Sequence, residues 1–300
     1  MAAGDVDQRG WTSTVKVPTV PLSSGKPMPR VGLGTATATF ATAEGHTGVK
    51  EAVLHAIGAG YRHFDTAAVN LCMEYVDLYL IHHPVSQRPP KDDGNMVLVK
   101  EDLVEMDMKG VWEEMEECQR RGLAKAIGVS NFACKKLENL LSFANIPPVV
   151  NQVEVNPYCR QKKLREFCRA RGIQLCGYSP LGANGATAWA NSSVMESPVL
   201  KQIAQDRCKS VAQVCIRWVY EQGDVVIVKS FNESRMRENL DIFDWELTDD
   251  DRRKISELPE SRGLYNFLVH ESGPYRTVEE LWDGEITAGH CNQTTFVSSG

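Results

Sequence analysis

With 300 residues the chain suits one large α/β barrel or two small domains. Hydrophobic residues at 42% and charged residues at 24% allow a sizeable core, and a formal net charge of −6 speaks against a nucleic-acid or acidic-membrane partner. Met1–Gly10 has no apolar run and no stretch approaches a spanning helix, so neither secretion nor membrane insertion is expected. The nine cysteines include no Cys-x-x-Cys pair and read as small apolar filler, which implies a reducing, cytoplasmic setting and no metal site.

Taken in chain order, short apolar, β-branched runs recur at Arg30–Gly34, Tyr61–Thr66, Val76–His82, Ala124–Ser130, Val149–Asn156, Gln174–Ser179 and Val225–Ser230. Such runs suit strands covered on both faces, as in a parallel sheet. Helical periodicity follows most of them, over Val49–Ala59, Val111–Arg121, Cys134–Phe143, Lys162–Arg171, Pro198–Cys208, Val211–Glu221 and Arg235–Phe243. Gly60, Gly122, Gly172 and Gly223 stand near helix ends, where left-handed caps are expected. The alternation predicts a closed or doubly wound parallel sheet. The first strand leads from Gly32-Leu33-Gly34-Thr35 into Ala36-Thr37-Ala38 without a Gly-x-Gly-x-x-Gly turn, which favours the barrel.

One junction breaks the alternation. Asp65 and His82 are 17 positions apart, and only residues 69–76 separate the two strand signals there. Eight residues span at most about 26–29 Å, enough to retrace a strand of about 17–20 Å but not to hold a crossover helix. Parallel neighbours need about a dozen residues or more.

Polar residues gather at the strand C-terminal ends: Asp65, His82, Ser130-Asn131, Gln152 with Glu154 and Asn156, Tyr178-Ser179 and Lys229-Ser230. In an eight-stranded βα barrel that rim is where active sites are built.

The ordered motifs Gly32-Leu33-Gly34-Thr35, Phe64-Asp65-Thr66-Ala67, Asp77-Leu78-Tyr79-Leu80-Ile81-His82-x-Pro84, Gly128-Val129-Ser130-Asn131-Phe132, Asn151-Gln152-x-Glu154, Tyr178-Ser179-Pro180-Leu181-Gly182 and Val228-Lys229-Ser230 resemble those of the aldo-keto reductase family, in its plant branch. The resemblance runs from about Pro29 to Ile286. It implies a (β/α)8 TIM barrel over 29–286, an N-terminal segment 1–28 and a disordered tail 287–300.

The resemblance also implies an NADPH-dependent, monomeric enzyme that reduces a small-molecule aldehyde or ketone by means of an Asp, a Tyr, a Lys and a His. Asp65 matches the Asp and His82 the His. Ser130, Asn131 and Gln152 would hold the nicotinamide carboxamide, and Tyr178 would stack on its ring. Ser179, Pro180, Leu181 and Gly182 would follow the pyrophosphate. Lys229, Ser230 and Arg235 would take the 2′-phosphate, and Glu238 and Asn239 the adenosine. Gly34, Thr35 and Phe231 complete the cofactor set. Tyr265, Phe267 and Trp282 either line the substrate pocket or simply pack.

Neither the Tyr motif nor the Lys-bearing strand end is found after Asp65. By resemblance the chain lacks about one and a half of the eight βα units, namely the second helix, the third strand and most of the third helix, with the junction at 69–71. Tyr75 and Tyr79 belong to the incoming strand and are expected away from the rim, and Lys91 and Lys100 fall in a polar loop. Three readings follow: a reductase with impaired activity; an inactive NADP(H)-binding remnant arising from splicing or an incomplete gene model; or a non-enzymatic interaction protein.

Overall fold

The computed structural model describes residues 15–35, 43–66, 73–88, 100–182, 193–261 and 268–285. The junction at 69–71, Lys91, Tyr265, Phe267 and the tail 287–300 lie outside these residues.

An antiparallel hairpin, β1 (Thr19–Pro21) and β2 (Pro27–Pro29), precedes β3 (Val31–Gly34) and α1 (Ala43–Ala59). The chain continues through β4 (Phe64–Asp65), β5 (Tyr79–Ile81), a small antiparallel pair β6 (Ser86–Gln87) and β7 (Leu103–Val104), α2 (Met108–Arg120), β8 (Ile127–Ser130) and α3 (Cys134–Phe143). Then come β9 (Val150–Glu154), α4 (Lys162–Ala170), β10 (Gln174–Tyr178), α5 (Ser193–Glu196), α6 (Pro198–Arg207), α7 (Val211–Glu221), β11 (Val225–Val228), α8 (Glu233–Leu240), α9 (Asp249–Ser256) and α10 (Val278–Leu281).

The main sheet has seven strands in the order β4-β3-β11-β10-β9-β8-β5, and every neighbouring pair is parallel. This agrees with an α/β barrel. Its two edge strands, β4 and β5, follow one another in the chain. Both are shorter than their apolar runs, because a strand with a single neighbour pairs only where that neighbour offers its ladder. β4 keeps two residues against β3, while β5 pairs three, Tyr79–Ile81, with β8 and adds an isolated bridge from Val76 to Ala124.

The strands meet the helices in a core that includes Val31, Leu33, Ile127, Val129, Val153, Leu175, Val226 and Val228, all buried. The interior strands are covered on both sides, which is why they read as unbroken apolar runs. Gly128 is dictated by that packing: a Cβ there would stand 2.6 Å from the Val150 carbonyl oxygen and 2.8 Å from Leu80 Cδ2. Gly128→Ala is therefore expected to cost about 1–3 kcal/mol, read as a lower chemical denaturation midpoint. An unchanged midpoint would mean that β8 and β9 can part without penalty.

None of the described helices is long and apolar enough to cross a membrane. The sheet direction puts the C-terminal ends of β3, β4, β5, β8, β9, β10 and β11 on one rim, where the site is assembled.

Candidate active site

Asn131 is the hub of the rim. It follows β8 in the left-handed conformation, with φ of 63°, and its amide N–H donates to the Gln152 carbonyl at 2.9 Å. Ser130 Oγ donates to the same carbonyl at 2.8 Å. Asn131 Nδ2 lies 2.9 Å from the His82 carbonyl, 3.0 Å from His83 Nδ1 and 3.1 Å from Ser130 Oγ. The Tyr178 hydroxyl donates to Asn131 Oδ1 at 2.8 Å. The carboxamide thus ties the ends of β5 and β10 to that of β8, and the Asn131 backbone N–H adds β9.

Asp65 ends β4. Its main-chain carbonyl accepts from both the amide N–H and the hydroxyl of Thr35, each at 2.9 Å. Its half-buried carboxylate has no hydrogen bond and no ion pair among the described residues. His82 stands open at the rim, with its ring stacked on His83 at 4.1 Å between centroids and 19° between planes. The surrounding protein holds the His82 imidazole below its ordinary pKa, and the nearby Asp65 charge pulls it back only in part. Tyr75 and Tyr79 are 42% and 49% exposed, and Tyr79 begins β5 at the end away from the rim. Lys125 Nζ covers the Tyr75 ring at 3.7 Å.

The other side of the rim runs from β10 to α8. Ser179 has a φ of 50°, Gly182 has a φ of 73°, and the Gly182 amide donates to the Ser179 carbonyl at 3.0 Å. Pro180 and Leu181 form this tight turn, which Asn156 Nδ2 approaches at 3.4 Å from the Ser179 carbonyl. Gly34, half-buried at the end of β3, would bring a Cβ to 3.4 Å from Ile227 and 3.9 Å from Lys229 Cβ, so Lys229 leaves the sheet beside β3.

Lys229 is exposed, with Nζ 5.7 Å from the Phe231 ring centroid, and Ser230 is buried with its hydroxyl accepting the Asn232 amide at 3.1 Å. Asn232 caps α8 by accepting the Arg235 amide at 2.9 Å. The exposed Arg235 guanidinium has no hydrogen bond or ion pair among the described residues. Glu238 is half-buried, whereas Asn239 turns inward and donates to the Tyr61 hydroxyl, which itself donates to the Met236 carbonyl at 3.1 Å.

The aldo/keto reductase family model matches residues 69–260. Deoxymugineic acid synthase 1-B of Triticum aestivum is 51% identical over 313 residues, covering 86% of this chain and 97% of that one. The chain belongs to the aldo/keto reductase family.

NADPH-dependent codeinone reductase 1-4 of Papaver somniferum is 47% identical over 319 residues, with 89% of this chain and 98% of that one covered. Among solved structures, a Bombyx mori aldo-keto reductase in complex with NADP matches with a TM-score of 0.68 at 30% identity, over 81% of this chain and 93% of that one. Another, complexed with NADPH, gives 0.69 at 27% identity over 82% and 89%.

For a member of this family the rim brings together Asp65, His82, Ser130, Asn131, Gln152 and Tyr178, and it gathers Lys229, Ser230, Phe231 and Arg235 beside the start of α8. Asn239 lies beneath that helix rather than on its surface. His83 occupies the spacer position between His82 and Pro84, yet its nitrogen meets Asn131. No periodic pattern marks it; the only sequence signal was a second imidazole at a strand end rich in polar groups. Trp282 is 4% exposed and packs with Leu103, Ala133, Leu268 and Leu281.

Proposed function

We propose that this aldo/keto reductase binds NADPH along the rim but reduces carbonyls far more slowly than its plant relatives. The reason would be that the segment bearing the phenol and the lysine is absent between Asp65 and His82. The Asp65 carboxylate carries this reading: it is half-buried, and no cation or phenol among the described residues bonds it. Two further observations support it. β4 and β5 are consecutive in the chain yet form opposite edges of the sheet. The match to the wheat synthase spans 313 positions but takes up 86% of 300 residues, about 258, so about 55 positions face no residue of this chain.

The residues present fit the cofactor. Among the described residues the Gln152 carboxamide has no hydrogen-bond partner, and the Ser179–Gly182 turn presents main-chain groups to a pyrophosphate. Lys229, Ser230, Arg235 and the capped start of α8 make an anion site suited to a 2′-phosphate. Phe231 and Glu238 border the adenosine, with Asn239 holding α8 from beneath. Gly34 and Thr35 shape the wall beside Asp65. NADPH, when bound, supplies the hydride that reduces the carbonyl carbon. In this chain Ser130, Asn131 and Tyr178 orient the nicotinamide end, and the neutral His82 imidazole donates a hydrogen bond to the substrate oxygen. The enzyme works as a cytoplasmic monomer on a small carbonyl compound, and kinship with the deoxymugineic acid synthases makes a keto acid the first to try.

Cofactor binding is tested by quenching of NADPH fluorescence. Arg235→Ala is expected to weaken NADPH about tenfold, the size of one charge-assisted contact, and to leave NADH unchanged. Equal loss for both cofactors would remove the 2′-phosphate assignment. A second reading, a non-enzymatic interaction protein, draws on one observation: Met73, Tyr75, Tyr79 and Leu123 are 61%, 42%, 49% and 44% exposed around the β5 edge. Concentration-dependent association without NADPH binding would favour it.

A further inference from the structure

His83 has more partners than a spacer needs. The orientation of the Asn131 carboxamide is fixed by its other neighbours, since the His82 main-chain carbonyl can only accept and the Tyr178 hydroxyl donates to Oδ1. Nδ2 therefore shares its two hydrogens among the His82 carbonyl, His83 Nδ1 at 3.0 Å and Ser130 Oγ at 3.1 Å, and because Nδ2 can only donate, Nδ1 faces it with a lone pair. The imidazole proton then sits on Nε2. Burial, reinforced by the adjacent His82, pushes the His83 pKa down to about 3, which keeps the acceptor available at ordinary pH. The face of the same ring lies against the His82 imidazole at 4.1 Å. Asn131 meanwhile has a left-handed backbone, a conformation asparagine adopts more readily than most non-glycine residues.

We propose that His83 is a positioning residue for the nicotinamide end of the site. It acts through Asn131, by accepting a further hydrogen bond from Nδ2 that holds the carboxamide in the orientation its other neighbours set. Through its ring it fixes the plane of His82. The proposal deepens the cofactor reading above and rests on it.

The two contacts separate by substitution. His83→Phe keeps a flat ring against His82 and deletes the acceptor, whereas His83→Asn places a carbonyl oxygen near where Nδ1 sits and deletes the ring. In fluorescence titrations His83→Phe is expected to weaken NADPH about tenfold, and His83→Asn to stay within about threefold of the parent. In an Asn131→Ala background, His83→Phe is expected to cause no further loss, which a merely structural residue would not obey. Full-strength binding by His83→Phe, or the same additional loss without Asn131, overturns the proposal. Should the parent chain bind no NADPH, the cofactor reading fails by itself. His83 is then judged by imidazole nitrogen resonances, expected to report Nε2–H with no titration between about pH 5 and 8; a proton on Nδ1 overturns it.

Discussion

Mixed with NADPH and an aldehyde, the purified chain is expected to oxidise the cofactor on the order of 100- to 10,000-fold more slowly than the wheat synthase, the range that one general acid contributes. Hydride addition to a carbonyl builds charge on oxygen, and the rate depends on a proton or strong donor meeting it there. Tyr178 is committed to Asn131, and Tyr75 and Tyr79 are exposed at the end of β5 opposite the rim. His82 remains, but its depressed pKa keeps it neutral at pH 7, so it offers a hydrogen bond and no ready proton. The control is NADPH binding, which should persist. A chimera carrying the synthase segment that lies between the counterparts of Asp65 and His82 is expected to recover the rate. Turnover by the unmodified chain at the synthase's own rate would mean that another group protonates the substrate.

Much of the fold was legible because its signals are local. The α3 range Cys134–Phe143 matches its apolar periodicity residue for residue, and β11 reads as apolar because all four of its residues are buried. Gly60, Gly122, Gly172 and Gly223 take φ values of 114°, 75°, 68° and 87°, as helix-ending glycines should. What escaped depends on context. α9 begins with three aspartates and shows little apolar periodicity, although the Thr248–Asp251 capping box announces it. The β1–β2 hairpin is built from proline-rich chain that reads as loop, since proline tolerates an edge but not a strand interior. At the site, Asp65 and His82 were legible from motif and strand end alike. The role of His83 was not, because it depends on Asn131, 48 residues further along the chain.

Asp224→Asn is expected to be the most damaging single change to stability, at about 3–5 kcal/mol. Asp224 precedes β11 and lies at the end of the sheet opposite the rim. Arg165 Nε lies 3.1 and 2.9 Å from its two carboxylate oxygens, and Arg165 Nη2 lies 2.8 Å from Oδ2. Arg30 Nη2 donates to the Asp224 main-chain carbonyl at 3.2 Å and also to Tyr220, whose ring its guanidinium covers at 3.9 Å. Asp224 is 2% exposed and Arg165 8%. Burial pushes the Asp224 carboxyl above its ordinary pKa, although Arg165, Arg169 and Arg30 pull it down. With the folded pKa above the unfolded one, this group favours the folded state most at low pH and less as pH rises through its folded value. The ion pair is thus no large net source of stability; what is costly is leaving one half of it behind. At roughly 2–4 °C per kcal/mol, Asp224→Asn should lower Tm by roughly 10 °C. Asp224→Leu combined with Arg165→Met, which removes both charges and leaves apolar volume, should return close to the parent or exceed it. If the double variant instead melts lower than either single one, the pair is itself stabilising, and the desolvation argument fails at this end of the barrel.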